Sequence, residues 1–577
     1  MSASRPSPTP TEAAPGGAVA AMGGAAGHAL RCALLVLVCL FAFVPGIAQL
    51  PPTDRDESRF VQASRQMAET GDYVDIRFQD QTRYLKPVGI YWLQNLAVAA
   101  QGDGADAPIW AFRSVSVAAA ILAVLATYWA GLRLFGPQAA FLAALGLAGI
   151  VMLNFEARIA KTDATLLAAS VAVQAALAHI YLGARQGRAV PALAPWLFWI
   201  AMSVGLLVKG PITPALALAT IATLSLYDRD WRWLSGLRPL RGLALTALLV
   251  APWPIAITLE SGATFWREAL GRDMFAKITS GQESHGFPPG YYAVTFVVFM
   301  WPFALETLRA GLKGLNRMAG DPRIAFCVAW YVPFWLVFEL IPTKLPHYVL
   351  PAYPAILILM GWALTEPGAA DTPLRRWQVW LMRAAVFGWG LITVGLAAIA
   401  AGLLPFVTGT WSLWGLLAAA LALLAGWLGS GFRPPLPPLP RILAATLSAG
   451  ALFGLLTQQI LPAAKPLWLS TTIAEAFEAN RPCPDSVLAS AGFSEPSLVV
   501  LAGTPTRLTG AQGAADHLAA DPQCAVAVVL DSYLADFHAA LPGGEAAVER
   551  LATISALDYT KGVAREMVMV RLAPPAE

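Results

Sequence analysis

Apolar stretches long enough to cross a lipid bilayer recur along most of this 577-residue chain, and no other feature restricts its fold so strongly. A hydrocarbon core of about 30 Å calls for roughly 17–25 consecutive apolar residues in a helix, because backbone polar groups find no water there. Runs of that kind fall at 29–50, 108–134, 138–156, 163–183, 193–208, 211–227, 241–259, 290–308, 324–341, 347–364, 378–402, 409–429 and 441–462. They predict a mainly α, polytopic membrane protein of about thirteen transmembrane helices. Apolar residues make up 57% of the chain and charged residues only 13%, too few to cover a water-facing surface of ordinary polarity.

The charged residues that remain report topology. Arg133, Arg185, Arg188, the group Arg229, Arg232, Arg238 and Arg241, and the group Arg309, Lys313, Arg317 and Arg323 all fall on one side when the N-terminus is cytoplasmic. Arg375, Arg376, Arg433 and Arg441 follow the same alternation, which favours an odd number of spans and puts the C-terminal region outside. The expected location is a bacterial inner membrane, crossed many times. A net charge of +3 spread this way gives no reason to propose a nucleic acid as partner.

Residues 1–28 are rich in Pro, Ala, Gly, Ser and Thr and read as a disordered cytoplasmic tail. The run that follows lacks a convincing cleavage site, so it reads as an uncleaved first helix of a transmembrane domain over 29–462. Two outer loops, 51–108 and 260–290, are too long for turns and carry paired opposite charges, so the chemistry is expected there. Residues 463–577 read as a soluble α/β domain on the outer face, with β-runs at 486–491, 497–501, 525–530 and 567–572 and helices near 510–520 and 532–541. Cys32, Cys39 and Cys327 sit in apolar runs; Cys483 and Cys524 are either a disulfide or two free thiols, and no spacing matches a zinc site.

Asp56, Glu57 and Arg59 stand just past the first span, where Phe60, Ala63, Ser64 and Met67 recur at helical spacing. This predicts an amphipathic helix along the membrane surface with an acidic pair at its start, a position acids also favour for purely electrostatic reasons. Lys86, within Tyr84-Leu-Lys-Pro and before Tyr91 and Trp92, suits a lipid phosphate at the interface, although a lysine there also snorkels without one. Arg158 and Asp163 border apolar runs, so each needs a partner or a wet cavity. Lys209, in Lys209-Gly-Pro, and Lys344, followed by His347 and Tyr348, lie at further outer junctions, and the second long loop adds Arg272. So many cations outside oppose the positive-inside rule and suit a bound phosphate diester beside a few acids.

In this order, Asp-Glu-Ser-Arg-Phe, Tyr84-Leu-Lys-Pro with Tyr91-Trp92, Arg158 to Asp163, Lys209-Gly-Pro, Phe265-Trp-Arg-Glu with Arg272, and Lys344-Leu-Pro-His-Tyr resemble the bacterial aminoarabinose transferase and protein O-mannosyltransferase superfamily, of GT-C membrane fold. The resemblance implies transfer of a sugar from a polyprenyl-phosphate donor to a lipid, lipopolysaccharide or protein acceptor at the outer face. By position it implies Asp56 as the main catalytic carboxylate, with Glu57 beside it and Asp163 as a second acid. Lys86 and Arg272 would hold the donor phosphate, with Arg59, Arg158 and Lys209 in the same cavity. Tyr84, Tyr91, Trp92, Lys344, His347 and Tyr348 would line it. Leu85 stands where aminoarabinose transferases carry a glutamate, and leucine offers no ligand atom; no metal ligand is assigned, and dependence on a divalent cation stays open. The alternative is a lipid or sugar transporter without covalent chemistry, which commonly shows repeated halves and midplane charges. No internal repeat is visible here, and the charges gather at one face.

Overall fold

The computed structural model describes residues 24–269, 271, 286–432 and 436–574. Most of the tail expected at 1–28, and Arg272 and Arg433 with their neighbours, lie outside the described residues. The first apolar run forms α1 (Ala25–Phe43), followed by turns that reach Leu50. The surface helix expected after it is α2 (Asp56–Thr70), which buries Phe60, Ala63, Ser64 and Met67 along one face and ends at Gly71 in the left-handed conformation. A short hairpin of β1 (Arg77–Phe78) and β2 (Gln81–Thr82) leads to α3 (Gly89–Ala99).

The runs expected at 108–134 and 138–156 form the two helical arms of α4 (Ile109–Gly149), which part at Gly136, non-helical at φ +83°, followed by Pro137. Only glycine adopts that angle without strain, and the proline ring removes the hydrogen bond that would have kept the helix straight. After α5 (Val151–Glu156) come α6 (Asp163–Gln186), α7 (Ala194–Lys209), α8 (Ile212–Asp228) and the bent pair α9 (Pro239–Val250) and α10 (Pro252–Ser261). The run expected at 290–308 is not a single helix. It divides into α11 (Tyr291–Phe299) and α12 (Ala304–Arg317), because Pro302 donates no hydrogen bond and crowds the residue before it. Then follow α13 (Pro322–Leu340), α14 (Tyr353–Thr365), α15 (Arg376–Thr408), α16 (Leu413–Gly429) and α17 (Pro438–Leu455).

Among the described residues, seven helical segments have the length and apolarity of a full crossing, and the pair α9–α10 makes an eighth. α7, α8 and α16 are shorter apolar helices. Small residues let them approach closely: a Cβ on Gly361 would lie 2.2 Å from the Ala139 carbonyl oxygen.

The C-terminal sheet has the order β4-β3-β5-β7-β6, from β3 (Leu488–Ala491), β4 (Arg507–Thr509), β5 (Val526–Leu530), β6 (Val548–Asp558) and β7 (Val563–Leu572). β3 runs parallel to β4 and β5, while β7 is antiparallel to both β5 and β6. Val526, Val528 and Leu530 pack towards α18 (Leu469–Asn480), and the alternate Ala527 and Val529 pack towards α20 (Ala511–Ala520) and α21 (Leu534–Ala540). The segment 497–501 is helical and not a strand, within α19 (Pro496–Ala502). A short apolar run does not distinguish the two, and Pro496 at the first helical turn favours the helix. Cys483 and Cys524 form a disulfide.

Candidate active site

One buried ion pair fixes the start of α2. Arg113, on the apolar face of α4, donates through Nε and Nη2 to the two Glu57 carboxylate oxygens at 2.7 and 2.8 Å, and neither side chain is exposed. The same guanidinium donates to the carbonyls of Ile47, Leu50 and Pro51 at 2.8, 2.6 and 3.1 Å, so it ties down the chain that leaves α1. Glu57 also accepts from the Ala160 and Thr53 amides and from the Thr53 hydroxyl, at 2.9, 2.9 and 2.8 Å. Burial alone would lift its carboxyl, but Arg113 and these donors hold it below the ordinary range. With both oxygens enclosed, Glu57 has a structural role here, and the catalytic role expected of it has no accessible atom to act through.

Its neighbour Asp56 is exposed and faces a cavity of about 610 Å³. The polar end of that cavity is formed by Arg55, Asp56, Arg59 and Lys161, and its apolar flank by Leu50, Phe155, Phe453, Leu456, Leu461 and Leu467. Tyr559 and Trp468 of the C-terminal domain complete the wall.

Next to it lies a cluster of five ionisable side chains, from α5, α6, α7, the short helix Pro346–Ala352 and the connection between α5 and α6. Lys161 stands 3.2 Å from Glu156 and 3.6 Å from Asp163, and Lys209, at the end of α7, lies 2.5 Å from Asp163. His347 reaches both acids, with Nδ1 at 3.8 Å from Glu156 and Nε2 at 3.5 Å from Asp163. Burial pushes the Lys161 ammonium down, but Glu156, Asp163 and Asp56 outweigh it and hold the group above its ordinary value. Glu156, Asp163 and His347 bring potential ligand atoms within 4.8 Å of one another, a mixed set suited to a divalent cation. The two lysines already balance those carboxylates, and a metal would have to displace them.

The other expected residues divide. Lys209 also sits over the Tyr348 ring at 5.6 Å, and Arg59 lines the cavity. Arg158 lines the cavity too, but it is buried and its guanidinium donates to the carbonyls of Ala42, Pro45 and Asn154, which makes it a clamp on the end of α1 with little left for a phosphate. Lys344 is buried and donates to the Ile341 carbonyl at 2.5 Å. Tyr84 donates to Asp75 at 2.6 Å and Trp92 to the Tyr73 carbonyl at 2.8 Å, so both brace the segment between α2 and α3. Tyr91 is buried against Phe60. Arg272 lies outside the described residues.

Sequence reasoning passed over Arg113, Glu156, Lys161, Trp468 and Tyr559. A signal existed for Arg113, since a lone charge within an apolar run needs a buried partner.

Residues 34–261 match the family model described as dolichyl-phosphate-mannose-protein mannosyltransferase. The chain is 27% identical over 400 residues to the undecaprenyl phosphate-alpha-4-amino-4-deoxy-L-arabinose arabinosyl transferase of Aeromonas hydrophila, covering 69% of this chain and 71% of that protein. It is 28% identical over 405 residues to the protein of the same name from Aeromonas salmonicida, with 70% and 72% covered. The crystal structure of ArnT from Cupriavidus metallidurans bound to undecaprenyl phosphate superposes with a TM-score of 0.70 over 96% of this chain and 100% of that one, at 19% identity.

Proposed function

We propose that this chain, which belongs to the aminoarabinose transferase and protein O-mannosyltransferase superfamily of GT-C membrane glycosyltransferases, moves a glycosyl group from a polyprenyl-phosphate donor onto a lipid acceptor, with Asp56 at the reacting centre. One observation carries the reading: an exposed carboxylate, Asp56, and the cations Arg55, Arg59 and Lys161 line a cavity whose other lining side chains are largely apolar. An amphipathic acceptor keeps its acyl chains along Phe453, Leu456 and Leu461 while its headgroup reaches Asp56. A water-soluble protein acceptor has no use for that flank.

In the reaction an acceptor oxygen forms a bond to the anomeric carbon, and the bond from that carbon to the donor phosphate oxygen breaks. Asp56 takes the proton when the acceptor is a hydroxyl, and orients the headgroup when it is a phosphate that is already nucleophilic. The polyprenyl phosphate leaves with an additional negative charge. Lys86, together with Arg272, is suited to meet that charge, and a fixed cation at a developing anion is an effective stabiliser of the transition state. Asp163 holds Lys209 and Lys161 in place, so it acts on the reaction through its neighbours.

The side of the membrane belongs to the same reading. Arg133, Arg185, Arg188 and the cations of 229–241 fall on cytoplasmic loops, leaving the C-terminal domain in the periplasm, where its disulfide persists. The test is Asp56→Asn in purified, folded protein, with transfer assayed from a polyprenyl-phosphate sugar to a glycolipid. Activity is expected to fall by about 100-fold or more; undiminished transfer rules out this site.

A further inference from the structure

The wall of the cavity facing Asp56 is not supplied entirely by the membrane domain. Tyr559 is carried on the turn between β6 and β7, and its hydroxyl accepts from the Asp54 amide at 2.8 Å, two residues from Asp56. The turn is stiffened by Asp558, whose carbonyl accepts from the Lys561 and Gly562 amides at 3.2 and 2.8 Å. The single hydroxyl proton of Thr560 is shared between the carboxylates of Asp558 at 2.7 Å and Glu495 at 2.9 Å. Trp468 backs the tyrosine with ring centroids 5.8 Å apart at 71°, and is itself fixed by donation to the Leu461 carbonyl at 2.7 Å. Trp468 is 9% exposed and Tyr559 is 40% exposed, so one ring forms the backing and the other is open at the cavity wall.

We propose that Tyr559 is a specificity-determining residue for the acceptor, its ring packing against the saccharide of a glycolipid headgroup delivered to Asp56. This rests on the glycosyltransferase reading above. An aromatic face held at one end by its hydroxyl is a rigid apolar platform with a polar handle, suited to the C–H face of a sugar ring. The placement selects the acceptor over the donor. Lys86, the cation placed at the donor phosphate, does not line this cavity; Arg55, Arg59 and Lys161 do and suit the phosphates of a headgroup, and Leu461 and Phe453 beside them suit acyl chains.

The measurement compares binding of two probes to the full-length protein in detergent: a phosphorylated, acylated glucosamine disaccharide (lipid A) and undecaprenyl phosphate. Tyr559→Ala is expected to weaken the disaccharide lipid about 10-fold and leave undecaprenyl phosphate within about twofold, while Tyr559→Phe keeps most of the disaccharide affinity; a tenfold change corresponds to about 1.4 kcal/mol. A photo-reactive phenylalanine derivative at position 559 is expected to crosslink to the disaccharide lipid and not to undecaprenyl phosphate, and this arm stands even where the alanine variant fails to fold. Unchanged disaccharide affinity in Tyr559→Ala, equal loss for both probes, or crosslinking to undecaprenyl phosphate alone overturns the proposal. Wild-type protein that binds undecaprenyl phosphate and transfers sugar, yet gives one of those results, removes this inference and spares the function. Wild-type protein that binds neither probe removes both.

Discussion

Glu57 and Arg113 offer a sharp test of whether the conspicuous acidic pair at the start of α2 is one catalytic unit or two residues with different work. Substituting Arg113 by Ala leaves a carboxylate with no exposed surface facing three carbonyls that have lost their donor. Breaking a buried pair from one side costs about 3–5 kcal/mol, and total stabilities are only about 5–15 kcal/mol, so this variant sits at the edge of folding. Replacing both partners with apolar residues, Glu57→Leu with Arg113→Met, removes both buried charges together. It is expected to cost less than the sum of the single changes by about 2 kcal/mol or more. Unfolding titrations in mixed micelles on the four proteins of this cycle give the coupling directly. The catalytic question is separate and needs a variant that keeps the fold. Glu57→Gln keeps the shape and one oxygen to accept from Arg113, though its amide NH2 meets the donors of the other oxygen and stability falls; since the Glu57 carboxylate has no exposed surface, transfer per folded molecule is expected to stay within about tenfold of wild type, against the loss of about 100-fold or more expected for Asp56→Asn. Strictly additive stabilities would refute the buried pair as the organising contact. A folded Glu57→Gln protein as inactive as Asp56→Asn would refute the structural assignment.

Lys86→Ala is expected to weaken undecaprenyl phosphate binding about 10-fold in a direct titration, and unchanged affinity would remove Lys86 from the donor site. The Cys483–Cys524 disulfide closes a separation of 41 residues, which on chain-entropy grounds is worth about 4 kcal/mol; the double serine variant should lower the melting temperature of the C-terminal domain, and an unaltered melt would contradict this. Asp54 is buried at the junction with Ser497 and Tyr559, and burial lifts its carboxyl to about 6. Its folded value lies above the unfolded one near 3.9, so the folded state binds the extra proton, and stability is lost as pH rises from about 4 through about 6. Asp54→Asn is therefore expected to abolish a loss of roughly 2–3 kcal/mol between pH 4 and 7, read from thermal unfolding at each pH. Identical pH profiles for the two proteins would contradict it.

The membrane fold was legible because lipid imposes a length and a composition that survive in any order of residues. What the apolar runs did not report was where helices bend. Gly136 with Pro137 parts two spans where the apolar runs had a gap, whereas Pro302 divided a run that read as one, through backbone chemistry that a hydropathy window averages away. In the soluble domain the continuous apolar run of β5 was readable, yet 497–501 turned helical because four apolar residues in a row fit either period, and β6 was overlooked because its exposed face carries Glu549 and Arg550 within a weakly apolar run.

The site was half legible for a different reason. Charges near apolar segments announce that partners exist without naming them. Asp163 needed such a partner and has Lys209, Lys161 and His347. Arg158 met the same need with main-chain carbonyls instead, which no pattern of side chains distinguishes from a phosphate ligand. Arg113 and Glu57 are 56 residues apart, and only the folded chain brings them together. Tyr559 is farther still from Asp54 in sequence, on a turn whose residues carry no motif. The division follows the physics of the two halves: a group that binds a charged lipid must break the hydropathy pattern and so reveals itself, whereas a group that shapes a cavity across a domain junction needs only to be the right size in the right place. If acceptor choice resides in Tyr559 and its turn, relatives with the same Asp56 and Lys86 can differ in acceptor through the C-terminal domain alone. Exchanging that domain between two such proteins should then carry acceptor preference with it while leaving the donor unchanged.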